Sequence, residues 1–201
     1  MTTVKDRPAE GYAAARRAMI DSQLRVSGVN DPFVLNAMNA VAREDFVPES
    51  AKTHAYIDRA VTLGGGRYLA APLFYGRLLT EAAPLADDKV LIVDGGSGYL
   101  PALVEPLASL VEVTDPVDAT QNSRKRGDFS LLLIDGAIEQ LPTGLVRRLA
   151  EGGRIVTGLV SRSVTRLAAG RKVAGEVALL PLAEMGIPVL PEFARPKGWS
   201  F

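Results

Sequence analysis

The sequence predicts an α/β fold: a doubly wound, mostly parallel sheet with an N-terminal helical extension. Three observations lead there. Val90 to Tyr99, VLIVDGGSGY, reads as a buried strand that turns through glycines into a helix. After it, apolar strand-like runs alternate with helical stretches. The chain has 201 residues, enough to bury one sizeable core.

The elements follow in order. Residues 1 to 9 are polar and read as a frayed end, after which Tyr12, Ala15, Met19, Ile20 and Leu24 recur at helical spacing until Gly28 ends the run. Asn30-Asp31-Pro32 is a helix start, with a capping side chain before proline in the first turn, and this second helix stops before Phe46-Val47-Pro48. Thr53 to Pro72 reads as an irregular stretch whose three consecutive glycines let backbone approach something else closely. Leu73 to Ala83 is the next helix. Lys89 to Val93 is a continuous apolar run suited to a strand covered on both faces.

Beyond the glycine turn the pattern predicts a helix over Leu100 to Leu107, a strand over Leu110 to Thr114 and a helix from Asp115-Pro116 to about Arg126. A strand over Phe129 to Ile134, a helix over Pro142 to Ala150 and a strand over Arg154 to Val160 come next. The runs between Arg171 and Pro191 suggest a terminal antiparallel pair. Residues 1–86 thus form a region of helices and loop packed on a core of residues 87–201, the whole making one compact domain.

Composition excludes several functions. Lys plus Arg total 23 and Asp plus Glu total 23, so no net field draws nucleic acid or anionic membrane. There is no cysteine and one histidine, His54, without a cluster at ligand spacing, so no metal site is expected. Ser97 lacks a following histidine and therefore a hydrolase triad. No window approaches the length of a membrane span and no signal peptide is legible, so a cytoplasmic protein is expected. The amino-terminal helices carry apolar surface enough for a homodimer.

In a doubly wound sheet, ligands bind at the carboxyl ends of the strands, where helix amino-termini present free N–H groups. Asp94, Gly96, Ser97, Gly98 and Tyr99 occupy that place here. A tight strand-to-helix turn without a ligand has the same pattern. The wider context adds more. MIDSQLRVSGVNDPFVLNAMNAVAREDFVPE, then AYIDRAVTLGGG with Pro72 following, then VLIVDGGSGY, then FSLLLIDGA and EGGRIV, resemble in order the protein-L-isoaspartate O-methyltransferase family.

The resemblance covers most of residues 19 to 160. It implies a Rossmann-like methyltransferase fold and S-adenosylmethionine as cofactor. It also implies isoaspartyl residues of damaged proteins or peptides as substrate, methylated on the α-carboxyl group to begin repair. The cofactor-binding residues it implies are Gly96, Ser97, Gly98, Tyr99 and Asp115; Asp94, standing where the family has a glycine, and Asp135, which faces the same crevice as either a ligand contact or the cap of the next helix, complete the candidate set.

Three departures stand out. The family's turn resembles VLEIGTGSGY, whereas Ile92 and Asp94 replace its acidic residue and first glycine. Asp94 either accepts a hydrogen bond from the cofactor's amino group or blocks its approach. The family's substrate loop resembles GxGQTISxP, but here Arg67, Tyr68 and Ala70 replace glutamine, threonine and serine. Ala70 offers no donor or acceptor, while Arg67 is either a contact for the substrate carboxylate or a solvated loop arginine. Between Asp115 and Phe129 there is too little chain for the family's next edge strand, so the sheet is expected to lack it. Asp115 itself is either a ribose contact or a helix cap. These departures leave a second reading, a catalytically inactive member that binds or scaffolds.

Overall fold

A computed structural model of the protein describes residues 7–121 and 126–195. Helix α1 (Arg7–Met19) runs on through a π turn (Ile20–Leu24) and a 3-10 turn (Arg25–Ser27), and Gly28 at φ +84° ends it. Met19, Ile20 and Leu24 are buried, which is the stripe the spacing predicts. Helix α2 (Pro32–Ala40) begins at the proline. The expected capping bond is absent: the Asp31 side chain instead accepts a hydrogen bond from Thr80 Oγ1 at 2.7 Å, fastening α2 to helix α3 (Pro72–Ala82).

The stretch expected to be irregular takes in the end of a 3-10 turn (Glu49–His54) and a short hairpin, β1 (Val61–Gly64) and β2 (Arg67–Leu69), around Gly65-Gly66. The main sheet holds β3 (Lys89–Val93), β4 (Leu110–Thr114), β5 (Phe129–Ile138), β6 (Leu149–Ser161), β7 (Val164–Val173) and β8 (Glu176–Glu184) in the order β4-β3-β5-β6-β7-β8. The first four strands are mutually parallel, and β7 and β8 are added antiparallel. Strand β4 is an edge, and no strand follows it before β5 among the described residues.

Helices α4 (Tyr99–Val104), α5 (Pro116–Thr120) and α6 (Thr143–Arg148) connect the parallel strands. Several bounds differ from expectation. Helix α5 spans only Pro116–Thr120, and part of the segment expected to extend it, Asn122 to Lys125, lies outside the described residues. Helix α6 stops early because β6 already begins at Leu149, and β5 runs on through Asp135-Gly136-Ala137. Of the terminal aromatics, Phe193 is buried, while Pro196, Trp199 and Phe201 lie outside the described residues.

Alternation sorts the sheet's side chains into two cores. Val90, Ile92, Leu131 and Leu133 join Leu24, Met38 and Phe74 on one face, so the amino-terminal region shares its core with the sheet. Leu91, Val93, Leu132 and Ile134 join Phe129, Leu145 and Phe193 on the other. The parallel strands are thereby covered on both faces.

Candidate active site

The turn after β3 reaches the carboxyl ends of its two neighbours. Asp94 N–H donates to Thr114 O at the end of β4, at 3.0 Å. On the other side Gly95 lies against β5 so closely that a Cβ there would come within 2.4 Å of Asp135 O, which only glycine permits. Asp94 and Asp115 therefore follow the ends of β3 and β4, and Asp135 lies in β5 just past the last residue that pairs with β3.

Each carboxylate has a defined local role. Asp94 accepts from Gly98 N–H at 3.0 and 3.1 Å, so its side chain closes onto the amino-terminus of α4. Desolvation raises its pKa, opposed by those backbone donors and, more weakly, by Arg67. Asp115 caps α5, accepting from Val117 and Asp118 N–H at 2.8 and 2.9 Å, and these bonds lower its pKa. Asp135 is 4 % exposed and accepts from the Tyr75 hydroxyl at 3.1 Å and from Ser97 Oγ at 3.5 Å. Burial, reinforced by the nearby Asp94 charge, pushes its pKa up to about 7.

Ser97 Oγ also accepts from Tyr99 N–H at 3.1 Å. The Tyr99 side chain turns away from the crevice into the core, packed edge-on against Tyr75 and Phe46 with ring centroids 5.0 and 5.3 Å apart. Of the expected cofactor residues, Asp94, Gly96, Ser97, Asp115 and Asp135 gather at one place. Tyr99 reaches it by its backbone.

Behind the crevice lies a residue that pattern reading passes over. Arg43 is completely buried, donates to Ala55 O at 2.6 Å and to Ala70 O, and lies over the rings of Tyr75 and Tyr99 with its guanidinium carbon 5.5 and 5.2 Å from their centroids. Ala70 N–H donates in turn to the Tyr75 hydroxyl at 3.3 Å. Both sides of the Ala70 peptide are thus pinned, and Tyr75 joins that peptide to Asp135. A charged residue in the run AREDF carries no sequence signal that it will be buried.

Arg67, at the start of β2, lies across the turn. A Cβ on Gly96, where φ is +107°, would meet the Arg67 stem at 3.1 to 3.4 Å. The guanidinium forks onto Glu192, Nη2 to Oε1 at 2.6 Å and Nη1 to Oε2 at 3.3 Å. It is therefore not a free, solvated loop arginine. A cleft of about 590 Å³ adjoins the hairpin, lined among others by Arg59, Tyr68, Phe74, Met185 and Ile187.

The model of the family "Protein-L-isoaspartate(D-aspartate) O-methyltransferase (PCMT)" matches residues 14–114. A protein-L-isoaspartate O-methyltransferase of Koribacter versatilis is 31 % identical over 191 residues, covering 83 % of this chain and 86 % of its own. The chain belongs to the protein-L-isoaspartate O-methyltransferase family. A second member, from an Anaeromyxobacter strain, is 32 % identical over 165 residues, covering 70 % of this chain and 68 % of its own. Among solved structures, a family protein of Plasmodium falciparum in complex with S-adenosyl-L-homocysteine superposes with a TM-score of 0.72 at 18 % identity, covering 90 % of this chain and 98 % of that one. That likeness establishes the Rossmann-like methyltransferase fold, which the turn and the parallel strands predict. Among the described residues no helix is long and apolar enough to cross a membrane, and no three potential ligands cluster for a metal.

Proposed function

We propose that this protein transfers a methyl group from S-adenosylmethionine to the carboxylate of isoaspartyl residues in proteins or peptides, within the cytoplasm. One observation carries the cofactor assignment: Asp94 and Asp115 follow the ends of β3 and β4, Asp135 lies beside them in β5, and a side-chain cation with an apolar stem already rests near the first two. Arg67 places methylenes on the bare backbone of Gly96 and a positive charge near Asp94 and Asp115. A ligand with an apolar body and cationic groups suits the same surroundings.

When bound, S-adenosylmethionine supplies an electrophilic methyl group on a positively charged sulfur. A substrate carboxylate is already ionised at neutral pH, so no residue has to remove a proton before it attacks. Alignment is then the protein's main contribution, and a misplaced oxygen costs orders of magnitude in rate. Arg67 is the proposed contact for that oxygen, because its fork already holds one carboxylate, that of Glu192. The peptide flanking the isoaspartyl residue is assigned to the 590 Å³ cleft beside β2. Gly96, Ser97, Gly98 and Tyr99 offer the cofactor their backbone, with Asp94, Asp115 and Asp135 as its acidic surroundings. The reading as an inactive scaffold gains no observation of its own from this arrangement.

Calorimetric titration with S-adenosylmethionine and S-adenosylhomocysteine tests the cofactor assignment. Heat of binding is expected at millimolar ligand or below, a level that requires only about 4 kcal/mol. Silence with both ligands would remove the assignment.

A further inference from the structure

We propose that Arg67 and Glu192 form a latch across the cofactor crevice, so that S-adenosylmethionine enters by displacing the Arg67 side chain. The inference rests on the cofactor assignment above and adds to it a named, self-made competitor for the site. Sterics come first. With its methylenes already lying over Gly96, the Arg67 stem covers the stretch of turn backbone that a cofactor would have to touch.

Charge points the same way. The guanidinium is bound to Glu192 and favours the ionised forms of Asp94 and Asp115. A cationic ligand that replaced it would serve the same carboxylates, so the exchange leaves the crevice's charge balance intact. Cofactor and arginine are alternative occupants of one acidic place.

The two halves of the latch differ in how firmly they are held. Glu192 stands in a 3-10 turn (Pro191–Phe193) fixed to the end of β5: Ala137 N–H donates to Pro188 O at 2.8 Å, Leu190 N–H to Ala137 O at 2.9 Å and Gln140 N–H to Phe193 O at 3.2 Å. Phe193 anchors that turn from within the core. Arg67 instead belongs to a two-stranded hairpin outside the main sheet, with strands of four and three residues. Short hairpins of this kind are weakly held on their own. The arginine is therefore the moving part and the glutamate the catch.

The test is a calorimetric titration of the full chain with S-adenosylhomocysteine, at low and at high salt. It compares the unaltered protein with Arg67→Ala and Glu192→Gln, each first shown to fold by circular dichroism. The substitutions lie on different elements, so a folding failure of one leaves the other to decide. If the latch is closed in most molecules, opening it tightens apparent binding by about tenfold in either variant. Added salt weakens a partly exposed ion pair, so it should tighten binding to the unaltered protein and leave Arg67→Ala without that gain. Equal affinities in all three proteins would overturn the latch while preserving the cofactor assignment. Weaker binding by Arg67→Ala would also overturn it, by making the arginine a ligand contact. Absence of binding in all three would sink the cofactor assignment itself, and the latch with it.

Discussion

Replacing Arg43 with methionine is expected to lower the free energy of unfolding by about 3–5 kcal/mol. The guanidinium is fully buried and supplies the donors for two buried carbonyls, Ala55 O and Ala70 O. Methionine fills similar length with no donor, so both acceptors lose their partner, each costing about 1–3 kcal/mol. The contacts over the faces of Tyr75 and Tyr99 go as well. Arg43→Lys keeps the charge without the fork and should fall between the two. Urea denaturation of the three proteins checks this order, and equal midpoints would show that Arg43 does not hold the Ala70 peptide in place.

Asp135 makes the second large effect, through pH. Its pKa stands at about 7, against 3.8 for an unburied aspartate, because burial and the Asp94 charge disfavour the ionised form. The folded protein therefore keeps a proton that the unfolded chain releases near pH 4. Stability from this group is fully present below that pH, declines as pH rises through about 7, and is flat above it, over a range on the order of a few kcal/mol. Asp94, also raised by desolvation, acts in the same direction. Asp135→Asn cannot ionise, so its stability should decline less between about pH 5 and about pH 8 than that of the unaltered protein. Denaturation curves for both proteins at both pH values measure the difference. Parallel declines would mean that Asp135 does not titrate in this range.

Arg43 also marks where the sequence pattern falls silent. Strands β3 and β5 are legible because unbroken apolar runs have few alternatives in a two-faced sheet. The hairpin β1-β2 is not, since strands of four and three residues show too little alternation beside consecutive glycines. The turn between β6 and β7 is made by Arg162 and Ser163, both at positive φ, where asparagine or glycine would have announced it. The next turn, Ala174-Gly175, includes one glycine, the residue that commonly marks such a turn.

The site divides in the same way. Asp94 and Asp115 directly follow strands that are legible, so their position at the carboxyl ends could be read from the sequence. What each carboxylate bonds to could not. Asp94 turns onto Gly98 and Tyr99 turns inward, choices set by packing between elements. Glu192 meets Arg67 across 125 positions of chain, and neither residue has a local pattern that names the other.

Transfer of labelled methyl from S-adenosylmethionine to an isoaspartyl peptide, with the same peptide carrying ordinary aspartate as control, tests the proposed activity most directly. Label should enter the isoaspartyl peptide as a base-labile ester and leave the control unlabelled. Ala70→Ser, which restores a hydroxyl to the peptide pinned by Arg43 and Tyr75, should raise the rate. No ester above the control, with the unaltered protein or with Ala70→Ser, would contradict the account.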